Sequence, residues 1–493
     1  MVAPPAQSAG GGALERGPLS NPRPPDLSRQ IMSPALWLPF RGLTKLSHPG
    51  KKPAQSLLLK SIGPRNIKQK QNQEEPNQKE ASLSGHNFLT LDDVETSNKR
   101  VFLRVDINVP LDPSTHQILD ETRIRAISET LAGLQDARVI LGSHQSRPGK
   151  DDFTNLEPHA AALAQYCSQN VEFVEDVLGP HARQKIAKVE PGHVLVLDNL
   201  RFCAEENVDD KPEKLLKTHF VRQLRPLFDL NINDAFAAAH RSQPSIVGLT
   251  EALPSAAGRL MERELKAVSA LLVEPRRPCV YVLGGSKVED KIPVIEHILT
   301  RDKADKILLG GVPAKLFLKA MDKKIPADDE KEMAGLQTHI KNAKSLWMKY
   351  KDKIEVPVDL AYGDTRGKRT DRGIDIPLKE SALDIGAKTV EKYSKVVEGA
   401  ATTVANGPLG VFERDGFDLG TKQVLEAMAK SNGYTVIGGG HLVGLASILG
   451  IDERFKHVST AGGAMLSLLS GQSLPGVEAL VRAAERMRDE KPD

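Results

Sequence analysis

Five arginines in this chain lie at or just beyond the ends of predicted strands, each within a short polar cluster. They are Arg104, Arg123, Arg147, Arg201 and Arg241. A guanidinium group is planar and permanently charged, and its donors match carboxylate and phosphate oxygens. In open α/β sheets, ligands bind in the crevice beyond the carboxyl ends of the strands. The arginines therefore predict a site for a small polyanion.

The arginine clusters follow runs that read as strands of a buried parallel sheet. The runs VFLRVDI, RVILGS, HVLVLD and FDLNIN are apolar and β-branched, which is typical of strands covered on both faces. Between them, apolar residues recur at helical spacing, as in 122–136, and predict crossover helices. A long predicted helix at 257–272 precedes a second series of this kind. We expect an α/β fold with two doubly wound parallel-sheet (Rossmann-like) domains joined by a long hinge helix.

These patterns divide the chain into five segments. The predicted segments are an N-terminal extension at 1–85, an anion-binding domain at 86–258, an interdomain helix at 259–274, a second domain at 275–456, and a hinge segment with the C-terminal helix at 457–493.

The extension differs in kind from the rest of the chain. It begins rich in Pro, Gly, Ala and Ser, and its polar stretch at 69–85 has no means of forming a core. We interpret it as a disordered tail, or as the result of a start codon placed too far upstream, with Met32 as the alternative start. An acidic-poor start that contains Arg and Ser also fits a transit peptide.

Composition argues against several classes of function. The chain has 493 residues, 40% hydrophobic and 27% charged, with a net charge of +3, as is ordinary for a globular protein. That charge is too small to indicate nucleic-acid binding, and aromatic residues at 4% offer few surfaces for base stacking. Cys167, Cys203 and Cys279 form no CxxC pair and fit a reducing compartment. No apolar run of about twenty residues exists to span a bilayer, so we expect no membrane partner. We expect a cytoplasmic protein that is a monomer and has no nucleic-acid partner.

Three glycine-containing loops in the second series follow predicted strands. They are GGSKVEDK at 284–291, NGPLGVFE at 406–413 and GGGH at 438–441. Small residues let backbone N–H groups approach an anion, and Lys287 and Lys291 add positive charge one helical turn apart. None of the loops is a Walker A sequence, and no GxGxxG opens the fold. The loops predict a phosphate site, and two charged ligands held by separate domains suit group transfer with closure that expels water.

A series of motifs occurs in a fixed order along 88–480. The motifs are RVDINVP, SHQSRP, DNLRF, NDAFAAAHR, LGGSKVEDK, NGPLGVFE and HVSTAGGA. Their order and spacing resemble those of the phosphoglycerate kinase family, and SHQSRP, GGGH and STAGGA look more like its archaeal branch. The resemblance implies reversible phosphoryl transfer between ATP and the carboxylate of 3-phospho-D-glycerate, which gives 1,3-bisphosphoglycerate and requires Mg²⁺. It implies a hinge-bending enzyme of glycolysis and gluconeogenesis.

By this resemblance, the first domain binds 3-phosphoglycerate. Arg123 is expected to be the catalytic arginine that reaches the acyl-phosphate end. Asp106 and Asn108 are expected to hold the hydroxyl and carboxylate region of the glycerate. The rest of the substrate site is expected to comprise His144, Gln145, Ser146, Arg147, Arg201 and Arg241.

The same resemblance implies that the second domain binds ATP or ADP. Lys287 is expected to act in catalysis by meeting the transferring phosphoryl group, and Lys291 to meet the α-phosphate. The other expected nucleotide contacts are Asn406 near the phosphates, Pro408 near the base, Glu413 on the ribose hydroxyls, and Gly438, Gly439 and Gly440 with their N–H groups toward the phosphates.

One position departs from the family pattern. Most members have Asp followed by Thr or Ser after the GGG, and that Asp binds the metal, whereas this chain has His441 and Leu442. Neutral imidazole is a poor ligand for Mg²⁺, because this ion prefers oxygen. We therefore predict no metal ligand from the protein. His441 should instead donate to phosphate oxygens while nucleotide and water hold the Mg²⁺.

Several other polar residues are interpreted as structural. Arg104 is expected to point away from the ligand and to form an ion pair. We expect Asp234 to make structural hydrogen bonds and Lys315 to be a solvated helix lysine. The polar stretch 364–373 is expected to be a surface loop. For His240, a buried structural role and a functional role both stay open.

Two functions remain at this point. One is an active kinase, which the presence of Asp106, Asn108, Arg123 and Lys287 favours. The alternative is a catalytically weakened ligand-binding or moonlighting homologue, in which His441 and the basic extension mark a changed purpose.

Overall fold

Two six-stranded sheets, both parallel throughout, organise the described part of the chain. The computed structural model describes residues 87–363 and 367–489, so the predicted extension at 1–85 lies outside the described residues. The strands of the first sheet are β1 (Arg100–Arg104), β2 (Arg138–Gly142), β3 (Asn170–Val174), β4 (His193–Leu197), β5 (Leu230–Asn233) and β6 (Ser255–Ala257). Their order across the sheet is β3-β4-β2-β1-β5-β6.

Apolar cores cover both faces of this sheet. Val101 and Leu103 of β1 belong to one core, whereas Phe102 between them belongs to another. Successive side chains of a strand point to opposite faces, so the continuous apolar run of β1 is explained by burial on both sides.

Short helices make the connections of the first sheet. They are α1 (Thr122–Ala126), α2 (Ser128–Ala132), α3 (Glu157–Leu163), α4 (Pro180–Lys188), α5 (Pro212–Leu215), α6 (His219–Leu224) and α7 (Leu249–Ala252). The prediction of one helix over 122–136 is wrong in its extent, because the backbone leaves regular helical geometry at Ile127 (φ −89°, ψ −5°). Ile124, Ile127 and Leu131 are nevertheless all buried. The apolar spacing therefore reported the buried face correctly but not the break in the helix.

A longer helix, α8 (Arg259–Leu272), connects the first sheet to the second. Its Leu260 packs in a core of the first sheet. Its Met261, Leu265 and Val268 pack in a core that also contains residues of the second sheet. The helix therefore joins the two cores, in the position expected for the long connecting helix.

Nine strands are described in the second half of the chain. They are β7 (Cys279–Leu283), β8 (Lys306–Leu309), β9 (Ile354–Glu355), β10 (Asp359–Gly363), β11 (Arg369–Gly373), β12 (Ala382–Ile385), β13 (Thr402–Asn406), β14 (Tyr434–Gly438) and β15 (His457–Ser459). Six of them form the second parallel sheet in the order β15-β14-β13-β7-β8-β9. The chain runs outward from β7 first through β8 and later through β13. The crevice between these two neighbours of β7 is a topological switch point, where ligands bind in this class of fold.

The other three strands form a small antiparallel sheet in the order β11-β10-β12. The prediction of a loop over 364–373 is wrong for Arg369–Gly373, which forms β11, while 364–366 lie outside the described residues. This strand lies at the edge of its sheet and is largely exposed, so it needs no apolar run. Arg369 secures it, because its Nη1 lies 2.9 Å from Asp384 Oδ2 and its Nη2 donates to the carbonyl of Ile385 at 2.8 Å.

Nine helices are described in the second half of the chain. They are α9 (Val288–Thr300), α10 (Gly311–Ala320), α11 (Ala327–Glu332), α12 (Gln337–Tyr350), α13 (Ala387–Glu398), α14 (Leu419–Lys430), α15 (Gly440–Ile448), α16 (Gly462–Leu469) and α17 (Pro475–Asp489). Within the described ranges, no helix has the length and apolar character that a bilayer crossing requires.

The last helix, α17, returns to the first sheet. Arg482 and Arg486 donate to the two carboxylate oxygens of Glu251 on α7, at 2.6 and 2.7 Å. Its Ala479 packs in a core cluster with Ala235 and Ile246 of the first half. This position depends on contacts between distant parts of the chain, so helical periodicity alone could not predict it.

Candidate active site

The ends of four strands bring the predicted substrate residues to one edge of the first sheet. Asp106 and Asn108 follow β1, the segment 144–147 follows β2, Arg201 follows β4 and Arg241 follows β5. All four strands are parallel, and β1 lies between β2 and β5. The segments that follow these strands therefore meet at the carboxyl edge, as the crevice rule predicts.

Arg123 on α1 lies against the segment that follows β1. Its Nη1 is 3.3 Å from Asp106 Oδ1 and donates to the carbonyl of Asn108 at 3.1 Å. Burial acts to raise the pKa of Asp106, but the charges of Arg123 and its neighbours outweigh burial and lower that pKa. Asp106 is therefore ionised at neutral pH, while the Arg123 side chain stays 32% exposed and keeps donors available.

The segment 144–147 has an unusual backbone that several hydrogen bonds secure. Ser146 has a φ of +54°, which is rare for a residue with a side chain. Its N–H donates to Asn108 Oδ1 at 2.9 Å, and its carbonyl accepts from Arg201. Gln145 is fully buried. Its Nε2 donates to the carbonyl of Val109 at 3.0 Å, and its Oε1 accepts from the N–H of Val109 at 3.1 Å. Gln145 thus holds the loop in place with the polar atoms of its side chain.

The remaining arginines make this edge strongly cationic. Arg201 is only 4% exposed, and its Nη2 is a buried donor without a partner among the described residues. Burial lowers the pKa of Arg241, and the nearby charge of Arg147 lowers it further. Guanidinium groups that are desolvated and close to one another gain most from an anionic partner. The crevice is therefore suited to a ligand with several negative charges.

His144 is buried behind this cationic surface. Burial lowers its pKa to about 3, against a partly opposing effect of Asp106. It is therefore neutral at physiological pH. Arg104 is fully buried next to it and pairs with Glu206 at 3.8 Å, which agrees with the ion pair predicted for Arg104.

The glycine loops of the second sheet meet around Asn406 at the end of β13. Lys291 on α9 is only 4% exposed and donates to Asn406 Oδ1, while Asn406 Nδ2 is buried without a partner in the described chain. Gly439 has a φ of +95°, which favours glycine. A Cβ on Gly462 would lie 2.8 Å from the Cα of Gly439. The N-termini of α15 and α16 therefore converge near Asn406, and their N–H groups and dipoles favour an anion there.

A cavity of about 340 Å³ opens at the switch point beside β7. Three predicted nucleotide residues line it, namely Pro408, Glu413 and His441. The ring of His441 packs on Phe412, with 5.5 Å between the ring centroids. A Cβ on Gly284 would lie 2.2 Å from the carbonyl oxygen of Pro408, so the loops after β7 and β13 approach more closely than other residues would allow. Lys287, at the N-cap of α9, is exposed.

Comparison with known proteins identifies the family of this chain. A family model described as phosphoglycerate kinase matches residues 91–472. The chain belongs to the phosphoglycerate kinase family. It is therefore a phosphotransferase, and the resemblance and the α/β fold class predicted from its motifs are both confirmed.

Curated relatives match nearly over their full length. The phosphoglycerate kinase of Methanothermobacter thermautotrophicus is 45% identical over 401 residues, which cover 80% of this chain and 96% of that protein. The phosphoglycerate kinase of Methanococcus maripaludis is 43% identical over 411 residues, which cover 81% of this chain and 99% of that protein.

Solved structures agree with this assignment. The crystal structure of phosphoglycerate kinase from Pyrococcus horikoshii OT3 matches with a TM-score of 0.75 and 39% identity, covering 81% of this chain and 99% of that one. The phosphoglycerate kinase of Coxiella burnetii matches with a TM-score of 0.66 and 33% identity, covering 80% of this chain and 100% of that one.

The cavity beside β7 in this phosphoglycerate kinase fold contains polar residues that the motifs did not predict. Lys315 on α10 and Glu332 on α11 both line it. The prediction that Lys315 is solvated is wrong, because its side chain is 12% exposed and its Nζ lies 2.7 Å from the buried Asp329. Its place four residues after Gly311 was a signal of proximity to the cavity. Its partner on a separate helix could not be identified from spacing.

Two further predictions concern the first sheet of the phosphoglycerate kinase fold. Asp234 is fully buried and accepts hydrogen bonds from Thr130 Oγ1 at 2.6 Å and from the N–H of Met261 at 2.9 Å. Its predicted structural role is therefore confirmed. His240 is exposed and accepts from Arg241 Nε at 3.3 Å, which excludes the buried alternative.

Among the described residues, no three carboxylate, imidazole or thiol groups lie close enough together to hold a metal ion. His441 offers a nitrogen ligand where Mg²⁺ prefers oxygen.

Proposed function

We propose that this chain reversibly transfers the γ-phosphoryl group of magnesium-bound ATP to the carboxylate of 3-phospho-D-glycerate. The products are ADP and 1,3-bisphosphoglycerate, and the reaction is a step of glycolysis and gluconeogenesis. One structural observation supports the assignment of the two substrate sites. The chain has a cationic crevice at the carboxyl edge of one sheet and a glycine-lined cavity at the switch point of the other.

In this proposal the first crevice holds the phosphoglycerate. Arg201, Arg241 and Arg147 neutralise its 3-phosphate, and the unpartnered Nη2 of Arg201 gains a partner. Asp106 and Asn108 orient the hydroxyl and carboxylate end. Arg123 then faces the reacting carboxylate with the donors that its contact to Asp106 leaves free.

The chemistry needs charge stabilisation and positioning rather than proton transfer. A carboxylate is already ionised at neutral pH, so the attacking oxygen requires no general base. The transition state spreads negative charge over the equatorial oxygens of the phosphoryl group. Arg123 from one side and Lys287 at the N-terminus of α9 from the other would stabilise that charge in place.

The nucleotide occupies the second cavity in this proposal. Lys291 and Asn406, together with the N–H groups at 438–440, bind its phosphates, while Glu413 binds the ribose and Pro408 packs near the base. His441 lines the same cavity and donates to phosphate oxygens. The two ligands are then brought together by bending about α8, which joins the two cores and allows closure to exclude water.

A spectrophotometric assay of the full-length chain with ATP, Mg²⁺ and 3-phosphoglycerate, coupled to reduction of the product, tests this function. We expect turnover in both directions. The alternative, a catalytically weakened ligand-binding or moonlighting homologue, would show calorimetric binding of both ligands without turnover. We also infer a cytoplasmic monomer, which the three free thiols support; sedimentation at the mass of two chains would contradict it.

A further inference from the structure

A buried polar network lies behind the phosphoglycerate crevice. Arg104, at the end of β1, and Glu206 are both completely buried. Arg104 Nε donates to Ser245 Oγ at 2.7 Å, and the same hydroxyl donates to Glu206. The N–H of Ser245 donates to the other oxygen of Glu206 at 3.0 Å. These hydrogen bonds fix the orientation of the Arg104 side chain.

The other end of this guanidinium faces a histidine of the proposed substrate site. Arg104 Nη2 lies 3.3 Å from His144 Nδ1. A guanidinium group has only donors and cannot be deprotonated in a protein. His144 Nδ1 must therefore accept, and the single proton of the neutral ring must be on Nε2.

The charges around His144 keep the ring neutral. Burial lowers the pKa of His144 to about 3, Asp106 opposes this, and the positive charges of Arg104, Arg241 and Arg123 add to the lowering. Nε2 makes no hydrogen bond to the described residues, and the ring is 3% exposed. The free N–H therefore belongs to the surface that the crevice presents to a ligand.

We propose that Arg104 is a positioning residue that holds His144 in its Nε2–H tautomer, so that a neutral imidazole donates one hydrogen bond to bound phosphoglycerate. This proposal rests on the proposed function, which places His144 in the substrate site. The carboxylate and phosphate oxygens of phosphoglycerate are acceptors only. The opposite tautomer would present a lone pair to them and repel them.

The tautomer can be measured without any assay of activity. Correlation spectra between ring protons and ring nitrogens of protein labelled with nitrogen-15 histidine distinguish a protonated from an unprotonated ring nitrogen. The signals of His144 are those missing from the spectrum of His144→Gln. Between pH 6 and 8 we expect Nε2 to be protonated and Nδ1 not. A proton on Nδ1, or a doubly protonated ring, would overturn the proposal even in an active enzyme.

Two amide substitutions test what the tautomer does for substrate binding. The amide of His144→Gln lies near the position of Nε2, whereas that of His144→Asn lies near Nδ1. We expect the KM for 3-phosphoglycerate to stay within about three-fold of wild type in His144→Gln and to rise about ten-fold or more in His144→Asn, because a hydrogen bond to a charged acceptor is lost. The KM for ATP should not change in either variant. Equal effects of the two substitutions on the KM for 3-phosphoglycerate would contradict the assigned tautomer.

Substitution of the arginine tests its positioning role directly. The double variant Arg104→Met with Glu206→Gln removes the donor to Nδ1 without leaving a buried carboxylate unpaired. We expect a proton to appear on His144 Nδ1 in part of the population, together with a several-fold rise in the KM for 3-phosphoglycerate. Arg100→Met, at the other end of β1, is the control and should change neither quantity. An unchanged tautomer in the double variant would refute the role of Arg104. If that variant fails to fold, the spectrum of the wild type still decides, because a proton on His144 Nδ1 excludes a hydrogen bond donated by Arg104 Nη2.

Discussion

Arg123 and Asp106, the predicted catalytic arginine and a predicted substrate-binding acid, are in direct contact in this protein. Arg123 Nη1 lies 3.3 Å from Asp106 Oδ1. The contact orients the guanidinium toward the crevice while using few of its donors. In the catalytic role proposed for it, an arginine that is already positioned need not reorganise when the phosphoryl group arrives, which is how fixed charges stabilise a transition state.

Substitution of Arg123 by Ala should therefore reduce turnover much more than binding of the nucleotide. We expect kcat to fall by about 100-fold or more, the usual loss when one charge-stabilising donor is removed. The KM for ATP should change by less than about two-fold, since Arg123 belongs to the other sheet. Steady-state kinetics with each substrate varied in turn measure both quantities.

Arg125 provides a matched control on the same short helix. It is exposed and takes no part in the contacts of the crevice, so Arg125→Ala should retain nearly normal kcat. Equal losses in Arg123→Ala and Arg125→Ala would show that the helix, rather than the guanidinium of Arg123, is what matters.

The positions of the strand-end residues could be predicted because their cause is local. The strands that precede Asp106 and Arg201 are largely apolar runs, and such runs form buried parallel strands whose carboxyl ends share one edge. The same reasoning located the loops around Asn406 and Gly439. In both sheets, the element type and the crevice follow from the pattern alone.

Residues whose surroundings depend on distant contacts could not be predicted in this way. Lys315 is spaced like a surface lysine of a helix, but it is mostly covered and pairs with the buried Asp329 of α11. The strand Arg369–Gly373 has no apolar run that would predict it. Hydrogen bonds of Arg369 stabilise it at the edge of its sheet instead. Periodicity reports which face of an element is buried, but it does not report which partner covers that face.

Lys291 should make nucleotide binding depend on pH. Burial, with a contribution from Lys287, lowers the pKa of Lys291 to about 8, so the side chain loses its charge as pH rises from 7 to 9.5. We expect the KM for ATP to rise about ten-fold or more over this interval, because a hydrogen bond from a charged donor to phosphate is lost. Initial rates at constant ionic strength measure the effect.

Lys291→Arg is the control, since a guanidinium keeps its charge over the same interval. Its KM for ATP should vary much less with pH, whatever its value at pH 7.

The native pKa of Lys291 also lies below its ordinary value of 10.5. Because the unfolded chain binds the proton more tightly between about pH 8 and 10.5, this lysine should contribute to a rise in stability with pH in that window.

His441 should bind phosphate rather than metal. His441→Ala removes one hydrogen-bond donor, for which we expect a rise of about three- to ten-fold in the KM for magnesium-bound ATP and no change in the KM for 3-phosphoglycerate. His219→Ala, an exposed histidine of the first half, should behave as wild type. Titrations with Mg²⁺ at fixed ATP give the metal dependence. An unchanged KM for magnesium-bound ATP in His441→Ala would contradict the assigned role, and a lowered affinity for Mg²⁺ would indicate metal binding instead.

Asp234 should contribute to stability and not to the reaction. In Asp234→Ala the hydroxyl of Thr130 and the N–H of Met261, at the start of α8, lose their buried acceptor. Each buried group left without a partner costs about 1–3 kcal/mol, so we expect the free energy of unfolding to fall by about 3 kcal/mol in urea titrations. The KM values of the folded fraction should remain near those of wild type.

Asp234→Asn separates the hydrogen bonds from the charge at this site. Burial raises the pKa of Asp234 to about 6, so the native state holds this proton more tightly than the unfolded chain. The protonated carboxyl therefore contributes to stability at low pH, and this contribution is lost as pH rises from about 4 through 6. Thr130 donates to one oxygen of Asp234 and the N–H of Met261 to the other, so the single amide oxygen of Asn keeps one of these two hydrogen bonds and carries no charge. The Asn variant should therefore lose less stability than Asp234→Ala at pH 7, and its stability should not fall between pH 4 and 6. A loss as large as that of the Ala variant at pH 7 would instead show that the negative charge itself holds the start of α8.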